Sequence, residues 1–323
     1  MLYDRIVNQG TINEPKGKPN PQFALPSAVN WMRALRILAE HNAIHFSTAT
    51  FFYKKEGKRA LASLVENTVF EQLFLALHHF SALQQFRDGN TATDYARVGV
   101  LAWYYGISNA ASAMIAAQSG SFQKDHAGTA KVWDDQIASR GLAMAPFSWR
   151  VSSLIEKTYK SEVEALRSGS DGQLQSTPIS TQEATGAAAQ YLSGSAKWYV
   201  WKTKEDLKRS REFKAMGVNT FRTKAARTLR DEWLDRKTIG FIHQASRYRG
   251  KANYREALFL AYGSDTETIL SGFVEDMHEV LKAFLAMAGA FACRRLGKDL
   301  WSDFVADVDL KKAFTARASD IWT

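Results

Sequence analysis

The stretch TDYARVGVLAWYYGISNAASAMIAAQ, residues 93–118, decides the fold class. Apolar and small side chains fall on nearly every helical face, and only Asp94 and Arg97 carry charge. A helix that is apolar almost all round has to be surrounded by other helices, so this segment is expected at the buried centre of the N-terminal half. It lacks the alternation with a period of two that a half-buried strand needs. No strand pattern flanks it, which argues against a nucleotide-binding α/β sheet and for an all-α chain of packed helical bundles.

Outward from this centre the helical period persists. Residues 27–57 read as one long helix, opened by the capping residue Ser27 and stopped by Gly57. A second is expected over 58–87, a short amphipathic one after residue 120, and another over 145–169. After a stretch poor in large apolar residues, helices are expected at 183–193, 196–215, 220–247, 253–262, 265–296 and 309–320. Four of the six prolines lie within residues 1–26, which read as an extended arm. The expected organisation is that arm at 1–26, an N-terminal helical domain at 27–170, a linker at 171–182 and a basic C-terminal helical domain at 183–323.

The chain has 323 residues, 46 % of them hydrophobic and 12 % aromatic, enough to bury a sizeable core. Its single cysteine, Cys293, excludes an intrachain disulfide and a cysteine-based zinc cluster. The N-terminal MLYDRIVNQG has no apolar core of a signal peptide, and the longest apolar run, AFLAMAGAFAC, is too short for a bilayer. A soluble cytoplasmic protein is the expectation. The net charge is +9, and residues 201–260 hold 16 basic against 7 acidic side chains, a local excess equal to that of the whole chain. Two readings of that excess stand side by side: a surface that meets phosphates, and a set of solvated helix faces.

No Walker loop or dinucleotide fingerprint occurs, so no cofactor is expected. The GISNA at Gly106 approximates a nucleophile elbow, but it sits inside a helical pattern, and Ser108 reads as a packing residue. His41 and His45, four apart, share a helix face as metal ligands do. Asn42 stands where a zincin has glutamate, and no metal site is expected. His78 and His79 point to different faces, and the pairs Arg36–His41 and Arg236–His243 read as structural.

The chemistry concentrates in QASRYRGKANYREALFLAYG, residues 244–263. A helix ending near Tyr248, a glycine at 250 and a new helix from about Asn253 would set Arg247, Arg249, Lys251 and Arg255 at a helix junction, where side chains and amides can face a phosphate. Arg236 and Lys237 extend the cluster. Tyr248 and Tyr254, with Trp198, Trp201 and Trp233, offer rings for unpaired bases. In the competing reading Tyr254, Leu258 and Phe259 are core and the arginines keep their heads in water.

A basic helix leading to RYRGKANYREALFLAYG and a long last helix resembles the HEPN superfamily, whose motif is an arginine, four to six residues, and a histidine at the start of a helix. The segment DYARVGVLAWYYGISNAASAMIAAQSGSFQKDHAGTAKVW is similar to the helical segment of YaaC-like proteins. The resemblance implies helical bundles, two HEPN-like halves packed together, that form a homodimer and cleave RNA without a metal at a composite cleft. Carried over by position, Arg249 is the motif arginine, Asn253 the polar residue before the final position, and Tyr254 stands where the family has histidine. Metal-free cleavage needs a base, an acid and a cation. Tyrosine, with a reference pKa near 10, is a poor base at neutral pH, so His243 or His126, in KDHAGT, is expected to fill that role. The resulting expectation is an HEPN-like RNA-binding protein and candidate endoribonuclease of toxin or phage-defence type, with an antitoxin or defence-system partner and no membrane association. The alternative is a non-catalytic helical scaffold or protein-interaction module.

Overall fold

The computed structural model describes residues 21–89, 92–253, 260, 266–270, 272–311 and 314–323, together with 5, 9 and 12. The fold is all-α, 74 % helical. Among the described residues the extended pairing is one antiparallel bridge between Val151 and Ile239. In chain order the helices are α1 (Pro21–His41), α2 (Phe46–Phe52), α3 (Ser63–Asp88), α4 (Ala92–Ser119) and α5 (His126–Gln136). They continue with α6 (Glu156–Arg167), α7 (Thr181–Arg209), α8 (Arg211–Ala215), α9 (Lys224–Asp235) and α10 (Phe241–Asn253). The last are α11 (Thr266–Leu270), α12 (Phe273–Leu296), α13 (Lys298–Lys311) and α14 (Ser319–Trp322).

Helix α4, the segment that set the fold class, lies against α3, α5, α10 and α12. Its Val100, Trp103, Ile107 and Met114 are buried, as are Met277, Leu281, Phe284 and Met287 of α12. Two glycines let these helices approach: a Cβ on Gly99 would stand 2.8 Å from Met277 Cε, and one on Gly106 2.7 Å from Leu281 Cδ2. Ser108 is buried within α4, in a helix rather than at a strand-to-helix elbow.

Helix α1 closes the other side. Trp31 stacks on Tyr191 of α7 at 4.1 Å and meets Trp103 edge-on at 5.8 Å. The Tyr248 hydroxyl donates to the Ala28 carbonyl at 3.0 Å. On α12 the buried Asp276 takes Arg33 at 2.9 Å and Arg36 at 3.2 Å, so two arginines of α1 dock on one carboxylate. Burial pushes that carboxyl up to about 6 in spite of both cations, leaving it ionised at neutral pH.

The main core takes side chains from both sides of residues 171–182, and Leu174 itself belongs to it. The Asn30 amide donates to the Leu174 carbonyl at 2.7 Å, and Leu174 N–H to Gln190 Oε1 at 2.7 Å. Gly172 and Gly186 touch through their backbones where a Cβ would collide. A second cluster gathers Val151, Leu154, Tyr159, Val163, Leu192, Leu234 and Ile239. A third holds the buried residues Leu207, Phe213 and Ala226, where α7, α8 and α9 meet.

Several element boundaries differ from the sequence expectation. Helix α1 begins at Pro21, so the last residues of the expected arm are helical. The expected helix over 27–57 breaks where Ala43 adopts φ 46°, and α2 starts anew at Phe46. The helices expected at 183–193 and 196–215 fuse into α7 as far as Arg209, because the apolar stripe of Ala184, Ala188, Tyr191 and Ala196 continues across Gly194, and Ser210 caps the separate α8. The helix expected at 220–247 divides at 236–240, where Ile239 exchanges two backbone hydrogen bonds with Val151, at 2.9 and 3.1 Å. The same pairing keeps 145–155 out of the helix expected there. Gly272, at φ 75°, separates α11 from α12. The expected helix at 253–262 falls largely outside the described residues.

Candidate nucleic-acid interface

Helix α10 runs unbroken through Gly250, so the junction expected between residues 248 and 253 is absent. Glycine in a helix costs about 1 kcal/mol relative to alanine, which the burial of Phe241, Ile242, Ala245, Tyr248 and Ala252 on the inner face of α10 offsets. Tyr248 is thus a core residue out of reach of any base.

Arg247 and Arg249 leave the flanks of α10. The Arg247 guanidinium donates to Ser195 Oγ at 3.3 Å and lies 5.7 Å from the Tyr191 ring and 5.9 Å from the Trp198 ring. Arg249 turns toward α4, with its guanidinium carbon 5.0 Å from the centre of the Tyr104 ring. Its Nε is buried without a hydrogen-bond partner, and among the described residues no carboxylate pairs with it.

His126 comes to the same place from α5, where it is the first helical residue behind the N-cap Asp125, whose carboxylate accepts from Gly128 N–H at 2.8 Å. Its ring is 5.2 Å from that of Tyr104 and 5.7 Å from that of Tyr105. Burial, and then the charge of Arg249, lower the His126 pKa from its ordinary 6.5 against the pull of Asp125, so the imidazole is neutral at pH 7. Burial raises the pKa of the Tyr104 phenol, although Ser246, Arg249 and Ser108 beside it favour ionisation. His79 of α3 continues the row, 5.8 Å from the Tyr105 ring, its pKa lowered by burial and by His78. The arrangement joins Arg249, which has no counter-ion among the described residues, the neutral His126 and the half-buried phenol of Tyr105 on one face of α3, α4, α5 and α10.

His243 sits elsewhere. Six residues before Arg249, it is turned about 240° from it around α10 and about 9 Å away along the axis. Its Nδ1 accepts from Gly240 N–H at 3.2 Å, and burial lowers its pKa to about 4. Its charged neighbours are Asp134, Lys237 and Arg150, not Arg249. Asp134 is fully buried and held by Arg150 through Nε at 3.1 Å and Nη2 at 2.8 Å, hard against Gly240.

Arg236 and Lys237 are exposed beyond the end of α9. Trp201 is exposed, Lys202 lies 5.4 Å from the Trp198 ring, and Trp233 packs against the third cluster. Lys251 and Asn253 belong to α10, but their side chains, like all of Tyr254 and Arg255, lie outside the described residues. His41 ends α1, and the chain turns before His45, so the two share no helix face. The carboxylates of Glu275 and Glu279 and the His278 ring bring ligand atoms within 4.8 Å of one another. Arg87 stands 3.6 Å from Glu275 and 3.4 Å from His278 Nδ1 and supplies the positive charge there.

Sequence reasoning named His126 as one of two stand-in bases but missed Tyr104 and Tyr105, which carried no signal beyond their place in an apolar helix. No protein family, curated protein or solved structure matches the chain. Among the described residues no helix is long and apolar enough to cross a membrane.

Proposed function

We propose that the protein is an HEPN-like RNA-binding protein that engages single-stranded RNA at the Arg249–Tyr104–His126 face and cleaves it without a metal. The observation that carries this reading is the Arg249 guanidinium, which lies over Tyr104 with no carboxylate partner among the described residues, beside a neutral His126. A cation in this state attracts a phosphodiester, and the half-buried rings of Tyr105 and His126 beside it suit an unpaired base, over the fully buried Tyr104 as a floor. In the reaction, neutral His126 takes the proton of a 2′-hydroxyl, whose oxygen forms a bond to the adjacent phosphorus. Arg249 stabilises the charge that builds on the phosphoryl oxygens. The bond to the 5′-oxygen breaks as that oxygen takes the Tyr105 phenolic proton, leaving a 2′,3′-cyclic phosphate and a 5′-hydroxyl.

The test is incubation of a labelled single-stranded RNA with the full chain in chelator. Cleavage with cyclic-phosphate ends is expected, and His126→Ala should slow it by about 10²–10⁴-fold. Arg249→Ala should weaken binding as well as cutting. Equal cutting by both variants and the parent would overturn the assignment. Salt-sensitive binding with no cutting by the parent would leave the site as an RNA grip.

A further inference from the structure

On the α1, α12 and C-terminal side of the molecule two cavities adjoin, sharing Lys282, Asp320 and Ile321 in their walls. The smaller, about 120 Å³, is ringed by Arg87, Lys282 and Arg317, with Gln84 and His278 beside them. Lys282 and Arg317 form no ion pair among the described residues, whereas Arg87 is shared with Asp88 and Glu275. His278 is 3 % exposed, with its ring stacked on Phe80 at 4.4 Å. Its Nδ1 lies 2.8 Å from Glu279 Oε1 and 3.4 Å from Arg87 Nη1, while Nε2 is buried with no partner among the described residues. With the proton on Nε2 this nitrogen is a buried donor without an acceptor, which a phosphate oxygen reaching it would supply.

The larger cavity, about 190 Å³, has a different character. Glu40 and Glu279 stand in it with His45 and Ser47, over an apolar floor of Ile44 and Ala283. Glu40 is paired at 2.7 Å with Arg36, which also lines this lobe, while Glu279 and Asp320 disfavour a second anion, so a molecule filling both lobes carries its negative charge at one end and neutral hydroxyls at the other.

We propose that this double cavity binds a small phosphomonoester, with the phosphate among Arg87, Lys282, Arg317 and His278 and a hydroxylated tail beside Glu40, Ser47 and Glu279. Asp320, in the shared wall, faces the phosphate with like charge and sets the affinity below what the cations alone would give. The site is independent of the RNA face, because none of its residues belongs to the Arg249 cluster.

Isothermal titration of the full chain with glycerol 3-phosphate and with inorganic phosphate tests the proposal. Saturable binding of both is expected, with the ester the tighter of the two because it also fills the second lobe. Lys282→Ala, at a half-buried position, and Arg317→Ala, at an exposed one, should each weaken binding about tenfold. Asp320→Asn should strengthen it severalfold, an effect that mere loss of folding cannot mimic. Arg249→Ala should leave the titration unchanged. Equal affinity for the two ligands would reassign the site to the free ion. Absence of saturable heat, indifference to Lys282 and Arg317, or loss of binding in Arg249→Ala would overturn it.

Discussion

Arg249 and His126 show what a residue-by-residue reading reaches and where it stops. The basic cluster around Arg249 is visible as charge along the chain, but its meeting with His126 depends on how α5 and α10 pack against α4, which no local pattern encodes. If His126 is the base, cleavage should fall on the acid side through a pKa below 6.5 and be flat above it, a profile that stopped-time assays between pH 4.5 and 8 would read. His243 gives a pH effect on stability instead. Its folded pKa, about 4, lies below the unfolded value near 6.5, so between these the unfolded chain binds more protons and stability falls as the pH drops. Urea unfolding at pH 7 and pH 4.5 should show a loss that His243→Gln reduces. Ala43, exposed at φ 46°, should tolerate glycine with a gain of about 1 kcal/mol in the same assay. Arg150→Ala should be far worse, about 3–5 kcal/mol, because it strands the buried charge of Asp134.

Elements were legible wherever one periodic pattern ran without competition. Helix α4 emerged within a residue or so of its bounds, 93–118 expected against Ala92–Ser119 found, because nothing within it favours a turn. The split of 220–247 was not legible, since Ile239 leaves the helix to pair with Val151, a partner fixed by tertiary contact rather than by any break signal nearby. Gly250, by contrast, looked like a break and is not one, because the buried face of α10 continues on both sides of it. The α4–α12 contact makes a prediction of its own. Gly106→Val should destabilise by about 1–3 kcal/mol through collision with Leu281, and Leu281→Ala in the same chain should recover part of the loss, which denaturation of the single and double variants would measure.

At the scale of the whole molecule, composition announced a helical, basic chain correctly but gave no indication of where the charge would stand. Residues 202–230 alone hold ten basic and three acidic side chains, and these belong to the end of α7, to α8, to α9 and, for Arg222, to the turn before α9. RNA affinity should therefore have a steep salt dependence governed by this region, and replacing Lys202, Lys204 and Lys208 together should flatten the slope of log K against log salt by about 2–3 units. Among the described residues the third cluster, which holds this region together, has Leu207, Phe213 and Ala226 buried, with Val218, Phe221, Leu229 and Trp233 half-buried against them. So small an anchor should open far more often than the α3–α4–α12 centre. Amide hydrogens of α8 and α9 should exchange orders of magnitude faster than those of α4, and a protease should first nick the chain there. A highly charged part of the protein is thus expected to unfold first, and a polyanion that bridges its lysines should be felt as slowed exchange before any change in the centre.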